Sequence, residues 1–408
     1  MLFRFSLYGF LKNQRYFEPF LLLALLSKGL SYTTIGLLIG FREICINVME
    51  VPTGAVADLA GRRRAMILSF LAYIASFALF GLAGPVWMFF AAMGLFAVGE
   101  AFRTGTHKAI IFDWLSRQGR ATEKTKVYGY TRSWSKIGSA VSVAVAAALM
   151  FVLEDYDWVF WLAVPPCALN IVNFLTYPSE LDGPRGGRTG IVGVLLLMLA
   201  AFRKCPRRGA LRRLLSESMA FEGIHKVSKD YLQPVIKTAA LSLPVLHAAG
   251  GVELSDLQRT AVLVGAVYVV LDLLSSAASR RADAFVRLSG SEARGARWIW
   301  LATVGAFAVM TAGLGLRWMP AAIAAFLLLA VMQNFWRPIM VGRVADQSGP
   351  DESATILSIE SQAKSLFAAV LAPLLGLAVD LAPKDVKVLP VAAAGLLVSL
   401  MMLATSRR

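Results

Sequence analysis

Residues 50–64 read EVPTGAVADLAGRRR and connect two long apolar stretches of the chain, 33–58 and 65–84. Two glycines, Gly54 and Gly61, flank the acidic residue Asp58, and three arginines follow directly. Because glycine adopts backbone conformations that other residues avoid, Gly61 suits a tight turn between antiparallel helices. We expect Gly54 to permit close helix packing and Asp58 to meet a neighbouring helix N-terminus or a basic partner. The segment therefore predicts a short basic connection between two helices.

The composition of the whole chain is too apolar for a water-soluble globule. Of its 408 residues, 57% are hydrophobic and 16% charged, and the mean hydropathy is +0.62. Soluble domains are about half apolar and a quarter charged, whereas an apolar stretch of about 20 residues can cross a bilayer. Such stretches lie at 6–26, 33–58, 65–84, 86–113, 127–153, 158–177, 211–246, 260–279, 298–316, 319–340, 355–381 and 388–405. The predicted fold class is an all-α polytopic membrane protein with twelve transmembrane helices.

Lysine and arginine are concentrated in alternate connections between these spans. One set of connections holds most of them, whereas the other set holds Lys28, Arg259, Arg317, Lys384 and Lys387. Because cytoplasmic loops carry the excess of Lys and Arg, we expect both termini in the cytoplasm and a multi-pass location in the plasma (inner) membrane. The orientation of the protein in the membrane thus accounts for most of the net charge of +15. No nucleic-acid partner is predicted.

The sequence carries no pattern that is typical of an enzyme. Its three cysteines, Cys45, Cys167 and Cys205, are far apart and form no CxxC pair, so neither a disulfide framework nor a metal site is expected. HExxH, GxSxG and P-loop motifs are missing from the chain. We therefore predict no catalytic residue, no metal and no cofactor.

The two halves of the chain repeat one another. Similar residues recur six spans later: Arg132, Ser133 and Lys136 with Glu360, Ser361 and Lys364; Phe102, Arg103 and Asp113 with Trp336, Arg337 and Asp346; Glu50 with Asp272. Such offsets indicate two parallel six-helix pseudo-repeats. We predict an N-terminal bundle at 1–180, a basic cytoplasmic loop with an interfacial helix at 181–210, and a C-terminal bundle at 211–408. The helix at 191–202 is too short to span the bilayer.

Every third span lacks ionisable residues. The third, sixth, ninth and twelfth spans contain no Asp, Glu, Lys, Arg or His. An ionisable side chain that faces lipid costs about 2.5–3.5 kcal/mol at mid-bilayer. We therefore expect these four helices to face lipid and the other eight to enclose a polar interior.

The 50–64 segment resembles a motif of the major facilitator superfamily of secondary transporters. That family has G-x-x-x-D-[RK]-x-G-R-[RK] between its second and third helices, and Gly54, Asp58, Gly61, Arg62 and Arg63 match it. Leu59 stands where a basic residue is usual. The resemblance implies two bundles that rock around a midplane site, a latch at this loop that forms in one access state, and a cavity lined by helices one, four, seven and ten.

Those four helices carry polar side chains at three- and four-residue steps, which places them on one helical face. The predicted substrate and proton pathway comprises Arg15, Glu18, Glu100, Arg103, His107, Glu222, Lys226, Lys229, Gln333 and Arg337. Glu18, Glu100 and Glu222 are the candidate proton carriers, because burial favours the neutral carboxyl. Three arginines favour an anionic or zwitterionic solute, since guanidinium binds carboxylate or phosphate bidentately. Structural ion pairs of Glu100 with Arg103, or of Glu222 with Lys226, remain alternatives.

A second set of charged residues is expected nearer the boundary between the halves. Interdomain and gating roles are predicted for Glu50, Gly54, Asp58, Gly61, Arg62, Arg63, Arg132, Lys136, Asp272, Glu360 and Lys364. Opposite charges on facing helices form ion pairs that differ between access states, so these residues would stabilise one state against the other.

The function that follows is alternating-access transport of a small organic solute across the cell membrane, coupled to H⁺, by a monomer in the lipid bilayer. A multidrug efflux antiporter is one alternative, although the G-P-x-x-G-G signature of such exporters is missing from the fifth span. A lipid-handling or non-transporting membrane protein on the same scaffold is another alternative.

Overall fold

The computed structural model describes residues 1–182, 209–244, 248–249, 252–347 and 350–405. The α-helices in this part are α1 (Leu2–Lys12), α2 (Leu21–Ser27), α3 (Tyr32–Ala60), α4 (Arg62–Leu82), α5 (Val86–Arg103), α6 (Thr106–Arg117), α7 (Lys124–Leu153), α8 (Trp158–Trp161), α9 (Val164–Leu175), α10 (Gly209–Ser228), α11 (Leu232–Ser242), α12 (Asp256–Ser289), α13 (Glu292–Gly315), α14 (Met319–Gln347), α15 (Pro350–Leu381) and α16 (Leu389–Thr405). Two short antiparallel strands, β1 (Ala248–Ala249) and β2 (Val252–Glu253), precede α12. The predicted interfacial helix at 191–202 lies outside the described residues, and so does most of the predicted boundary at 181–210.

Nine helical segments of the described chain are long and apolar enough to cross a membrane. The other three predicted spans are helical as well, and each has a local reason to differ. The first is divided into α1 and α2 around residues 13–19, which include Asn13, Gln14, Arg15, Glu18 and Pro19, and the twelfth, α16, is only 17 residues long. The seventh is divided into α10 and α11 by a 3₁₀ turn at Lys229–Tyr231. Pro234 lies in the first turn of α11, where a missing N–H costs no helical hydrogen bond. The predicted all-α membrane fold is confirmed.

Local sequence signals set several helix ends. Gly105 has φ of +80° and separates α5 from α6, which together form the fourth span. Ser255 caps α12 by accepting a hydrogen bond from the backbone N–H of Gln258, whose side chain in turn accepts from the Ser255 N–H. This reciprocal arrangement satisfies two donors that would otherwise lack partners at a helix start.

The helices form two compact units. The N-terminal unit contains residues 1–21 and 41–182, and the C-terminal unit contains residues 22–40 and the described residues from 209 onward. In the N-terminal unit α4 packs against α5 and α9, and α1 packs against α7 and α9. Gly138 on α7 permits that close approach, because a Cβ atom there would lie 2.5 Å from the carbonyl oxygen of Phe10 on α1.

The C-terminal unit has its own aromatic core. Phe221 on α10 stacks on Trp336 of α14, and Trp300 of α13 meets both rings edge-on. All three side chains are buried. Residues 22–40 pack in this unit: Asp380 at the end of α15 accepts hydrogen bonds from the backbone N–H groups of Tyr32 and Thr33, at 3.1 and 2.8 Å. The start of α3 is therefore capped by a carboxylate from a helix almost 350 residues later in the chain.

The four spans that lack ionisable residues expose large apolar side chains. Among them are Leu68 and Leu71 on α4, Leu169 and Val172 on α9, Leu301 and Val309 on α13, and Leu397 and Leu400 on α16. Such surfaces are unfavourable in water and favourable against lipid tails. The lipid-facing placement expected from the sequence is therefore physically reasonable for each of these helices.

Candidate functional site: a cationic pocket and two carboxylate clusters

Glu100 on α5 is the centre of a charge network in the N-terminal unit. Its Oε1 atom accepts a hydrogen bond of 3.1 Å from Arg15, and its Oε2 atom pairs with Arg103. The Nε atom of Arg103 donates to the hydroxyl of Tyr73 at 3.1 Å, and Arg15 also approaches Glu18 at 3.9 Å. Two acidic and two basic side chains thus balance one another. This geometry is that of the structural ion pair that the sequence analysis left as an alternative.

A cavity of about 380 Å³ lies beside this network, within the N-terminal unit. It is lined by Phe5, Tyr8, Gly9, Lys12, Asn13, Arg103, Gly105, His107, Lys108, Tyr128, Thr131, Arg132, Ser135, Lys136 and Ser139. We call it the cationic pocket, because five of these residues are Lys or Arg and none is Asp or Glu. Helices α1, α6 and α7 each supply at least one of the cations.

Four of the five cations of the cationic pocket lack an acidic partner. Arg103 is neutralised by Glu100, whereas Lys12, Lys108, Arg132 and Lys136 form no ion pair within the described part of the chain. Two of the lysines instead lie near aromatic rings: Lys12 is 5.9 Å from the ring of Tyr8, and Lys108 is 5.7 Å from that of Tyr128. Cation–π contacts stabilise a charge without cancelling it. The pocket therefore presents a net positive charge.

His107 forms part of the pocket wall and is buried, with 8% of its surface exposed. Its ring stacks on Tyr8 at a centroid distance of 3.7 Å, and Phe5 meets it edge-on. The Nε2 atom of His107 has no hydrogen-bond partner among the described residues. Buried polar atoms almost always have a partner, and for this atom the described residues supply none.

Glu360 on α15 is the centre of a second cluster, in the C-terminal unit. It is fully buried, and both of its carboxylate oxygens accept from Arg337, at 3.0 and 2.8 Å. The hydroxyl of Ser218 donates to Oε1 at 2.6 Å, and the Nζ atom of Lys364 lies 3.7 Å away. Arg337 therefore pairs with Glu360. Its predicted contact with the solute remains a prediction.

Glu222 lies next to this second cluster on α10. Its side chain is buried, Gln333 lies beside it, and Lys364, Arg337 and Glu360 are close enough to act on its charge. Its Oε1 atom has no hydrogen-bond partner among the described residues.

Lys226 and Lys229 follow Glu222 along the same helical segment. Lys226 contacts the hydroxyl of Ser365 at 3.3 Å, and Lys229 contacts Asp230 at 3.1 Å. The polar stripe predicted for the seventh span thus has several different partners in the C-terminal unit.

The 50–64 segment ends at a helix N-terminus that is capped by an acid from elsewhere in the chain. Gly61 has φ of +103°, as its predicted role in a tight turn requires, and α4 starts at the next residue. The carboxylate of Asp182, after α9, accepts from the backbone N–H of Arg63 at 3.0 Å, and the Arg63 side chain donates to the carbonyl of Tyr177 at 2.9 Å. The side chain of Asp58 lies outside the described part.

Gly54 differs from expectation. A Cβ atom placed on it meets no atom within 4 Å among the described residues. Close helix packing therefore does not explain this glycine in the present conformation, and the predicted reason for it is wrong here.

The remaining residues predicted for gating lie in several places. Arg132 and Lys136 form part of the wall of the cationic pocket, and Glu50, Arg62 and Asp272 are half-buried on α3, α4 and α12. Their roles between the two halves stay predictions.

Sequence reasoning missed Lys12, Lys108 and Tyr8 in the pocket, and Asp182 and Asp380 at helix starts. A weak signal existed for Lys12, which interrupts the apolar run of the first span. The two aspartates cap helices that are more than a hundred residues away in sequence. No local pattern connects them to those helices.

The helical arrangement and the sequence can be compared with known families. The family model of the Major Facilitator Superfamily matches residues 13–373. The chain belongs to the Major Facilitator Superfamily. No curated protein matches this superfamily member in sequence.

Solved structures with the same fold include two transporter groups. The nucleoside transporter NupG superposes with a TM-score of 0.80 at 12% identity, covering 100% of this chain and 99% of that chain. A POT family transporter in complex with 5-aminolevulinic acid superposes with a TM-score of 0.72 at 13% identity, covering 100% and 95%. A POT peptide transporter in complex with alafosfalin gives 0.71 at 15% identity, covering 99% and 92%. At these identities the likeness establishes the fold alone: this superfamily member is a multi-pass membrane protein with a transporter fold.

Proposed function

We propose that this protein is a secondary active transporter that moves a small organic anion across the plasma membrane by alternating access, coupled to H⁺. The observation that carries this proposal is the cationic pocket, whose lining has five basic residues and no acidic one. Lys and Arg between membrane-spanning helices are costly, and they usually mark a substrate or ion pathway. An anionic solute would offset that cost.

The volume of the pocket supports a small solute. A cavity of about 380 Å³ is near the lower end of the range for small-molecule sites, roughly 300–1,000 Å³. Arg132 on its wall is exposed to the cavity and can bind a carboxylate or phosphate bidentately. Phe5, Tyr8 and Tyr128 give the same cavity an apolar side. The sequence analysis left anionic and zwitterionic solutes open, and the pocket favours the anion.

Proton coupling is assigned to Glu222. Both carboxylate oxygens of Glu360 accept hydrogen bonds, from Arg337 and Ser218, and the Nζ atom of Lys364 lies 3.7 Å away. Glu222, in contrast, is buried with one oxygen that lacks a partner in the described part of the chain. Protonation of Glu222 therefore disrupts few favourable contacts of its carboxylate. Glu222, Glu360, Arg337 and Lys364 together have zero formal charge, so a proton on Glu222 would give the cluster one positive charge.

The remaining parts of the proposal concern the protein as a whole. We propose that it acts as a monomer, with both termini in the cytoplasm, and that it has neither enzymatic activity nor a nucleic-acid partner. Within the described residues, no group of three His, Cys, Asp or Glu side chains could hold a metal ion. A gradient of ions or solute would then supply the driving force.

The first test is a thermal-shift screen of the purified protein against solutes sorted by charge, since a ligand that binds only the folded state raises its apparent stability. Organic anions are expected to stabilise the protein, and Lys136→Met is expected to remove that effect. Lys126→Met is the matched control, because Lys126 is an exposed cation on the same helix but outside the pocket. Stabilisation by lipophilic cations alone would favour the multidrug alternative and reject the proposal.

The second test concerns the proton. In proteoliposomes, Glu222→Gln is expected to abolish uptake or efflux driven by a pH gradient while solute exchange at equal pH continues. Exchange is the internal control for folding and substrate binding. If the variant still accumulates solute in response to the gradient, Glu222 is not the coupling residue.

A further inference from the structure

We infer that the solute bound in the cationic pocket carries at least two negative charges, as a phosphate monoester or a dicarboxylate does, and that His107 Nε2 contributes a hydrogen bond to it. This inference rests on the proposed anion transport and specifies its substrate class. Four observations carry it: the number of unpaired cations, their arrangement on the helices, the unsatisfied histidine atom, and the aromatic side of the pocket.

The number of unpaired cations sets the charge of the ligand. Of the five basic residues, Arg103 is balanced by Glu100, and four remain without an acidic partner in the described part. A monoanion would leave three of them unneutralised within a helical membrane protein. Lys108, Arg132 and Lys136 have exposed side chains and Lys12 is half-buried, so all four can approach a ligand in the cavity, and a ligand with two or more charges can neutralise more of them than a monoanion can.

The arrangement of the cations allows one ligand to contact several of them. Arg132 and Lys136 are one turn apart on α7, so their side chains lie on the same face about 6 Å apart along the axis. Lys12 is on α1 and Lys108 is on α6, and both line the same cavity. Positive groups thus surround the space from three helices. A ligand with negative groups at two positions, or a phosphate with charge on three oxygens, can meet more than one helix at once.

His107 provides an observation that does not depend on charge counting. Its side chain is more than nine-tenths buried, it lines the pocket, and its Nε2 atom has no partner among the described residues. Buried imidazole nitrogens are normally satisfied by protein or by an ordered molecule. A molecule bound in the pocket is therefore expected to supply the missing hydrogen-bond partner of this nitrogen.

The wall of the pocket also indicates an organic anion. Phe5, Tyr8 and Tyr128 line the same cavity as the four unpaired cations. Tyr8 is held by its stack on His107, and Phe5 is fully buried. An inorganic ion would contact the cations but would not contact Tyr8 or Tyr128. A solute with a dianionic head and an apolar body would use both.

The experiment compares ligands that differ by one charge. Phenyl phosphate and succinate are the dianionic probes, and methyl phenyl phosphate and monomethyl succinate are their monoanionic matches. Binding is measured by calorimetry with detergent-purified full-length protein at about pH 8, well above the second phosphate pKa of about 6. We expect each dianion to bind at least about tenfold more tightly than its monoanionic match.

Variants connect that preference to the pocket. Lys136→Met and Arg132→Met are each expected to weaken dianion binding about tenfold and to reduce the difference between the dianion and its monoanionic match. His107→Phe, which removes both imidazole nitrogens, is expected to weaken binding of both ligands of each pair. Lys126→Met should leave every affinity unchanged. Lys136→Arg, which keeps the charge, should keep the preference and shows that a loss in Lys136→Met does not come from misfolding.

The possible results separate this inference from the proposal beneath it. Equal binding of the dianions and their monoanionic matches overturns the inference and leaves anion transport standing. Binding of neither class overturns both. Binding only of phosphatidic acid from mixed micelles would make the pocket a lipid site and would also overturn the inference. A preference for dianions that survives in Lys136→Met and Arg132→Met would place the site elsewhere and reject the pocket.

Discussion

Replacing Arg337 by methionine separates two roles for this arginine, contact with the solute and stabilisation of Glu360. In the structure Arg337 donates to both carboxylate oxygens of Glu360, which is fully buried. If this pairing is its main role, Arg337→Met leaves a buried carboxylate with two weaker partners and destabilises the fold. If Arg337 is a solute ligand instead, the variant loses affinity for the solute but keeps its stability.

The expected loss can be worked out from the contacts. Removing one partner of a buried ion pair costs about 3–5 kcal/mol. Here the Arg337 side chain is 38% exposed, and Glu360 keeps the hydroxyl of Ser218 at 2.6 Å and the ammonium of Lys364 at 3.7 Å. Both facts reduce the loss, to about 2 kcal/mol. For a folded unit the size of the C-terminal unit, a loss of about 2 kcal/mol lowers the Tm by roughly 4–8 °C.

The assay is thermal unfolding in detergent at one fixed scan rate, because membrane proteins often unfold irreversibly. Arg287→Met is the matched control: Arg287 pairs with Asp283 on α12, both side chains are exposed, and the variant should change stability by no more than about 0.5 kcal/mol. Glu360→Gln combined with Arg337→Met should recover at least about 1 kcal/mol relative to additivity, since the carboxylate that Arg337 neutralises is then missing as well. An unchanged Tm in Arg337→Met, or strict additivity in the double variant, would refute the reasoning.

Three further predictions follow from the backbone geometry. Gly61→Ala should lower stability by about 1–3 kcal/mol in thermal unfolding, because φ is +103° and the new Cβ would lie within 3 Å of a carboxylate. An unchanged Tm would mean that this turn relaxes. Asp380→Asn should cost about 0.5–1 kcal/mol by weakening the cap of α3, seen as faster hydrogen exchange at residues 32–36; exchange there at the wild-type rate contradicts it. Gly138→Val should lower the yield and Tm of folded protein by separating α1 from α7, whereas Gly305→Val, which has open space around it, should not; equal effects of the two would show that packing at Gly138 is unimportant.

The sequence was most informative about features that depend on a few neighbouring residues. Nine of the twelve predicted spans are helical segments long and apolar enough to cross a membrane in the described part of the chain, and the turn at Gly61 follows from a glycine at the end of a helix. The seventh span is divided by a 3₁₀ turn shortly before Pro234. Hydropathy, capping and glycine geometry are local properties, so a single sequence reports them well.

The candidate site was predicted only in part. Arg103, His107, Arg132 and Lys136 were all singled out, but as members of two different sets, one for the solute and one for gating. The structure brings these four together in one pocket with Lys12 and Lys108. Periodicity along one helix shows which residues share a face. It does not show which faces of α1, α6 and α7 meet.

The sequence by itself determined the class of the protein: an α-helical membrane protein of the Major Facilitator Superfamily, recognisable from its spans and from the 50–64 segment. Only the tertiary structure decided which charges are neutralised, because a partner such as Glu360 for Arg337, or Asp182 for the start of α4, depends on side chains that are distant in sequence. A Coulombic interaction depends on distance in space and on burial. The cationic pocket follows from that difference, since Glu100 neutralises Arg103 and leaves Lys12, Lys108, Arg132 and Lys136 unpaired within the described residues.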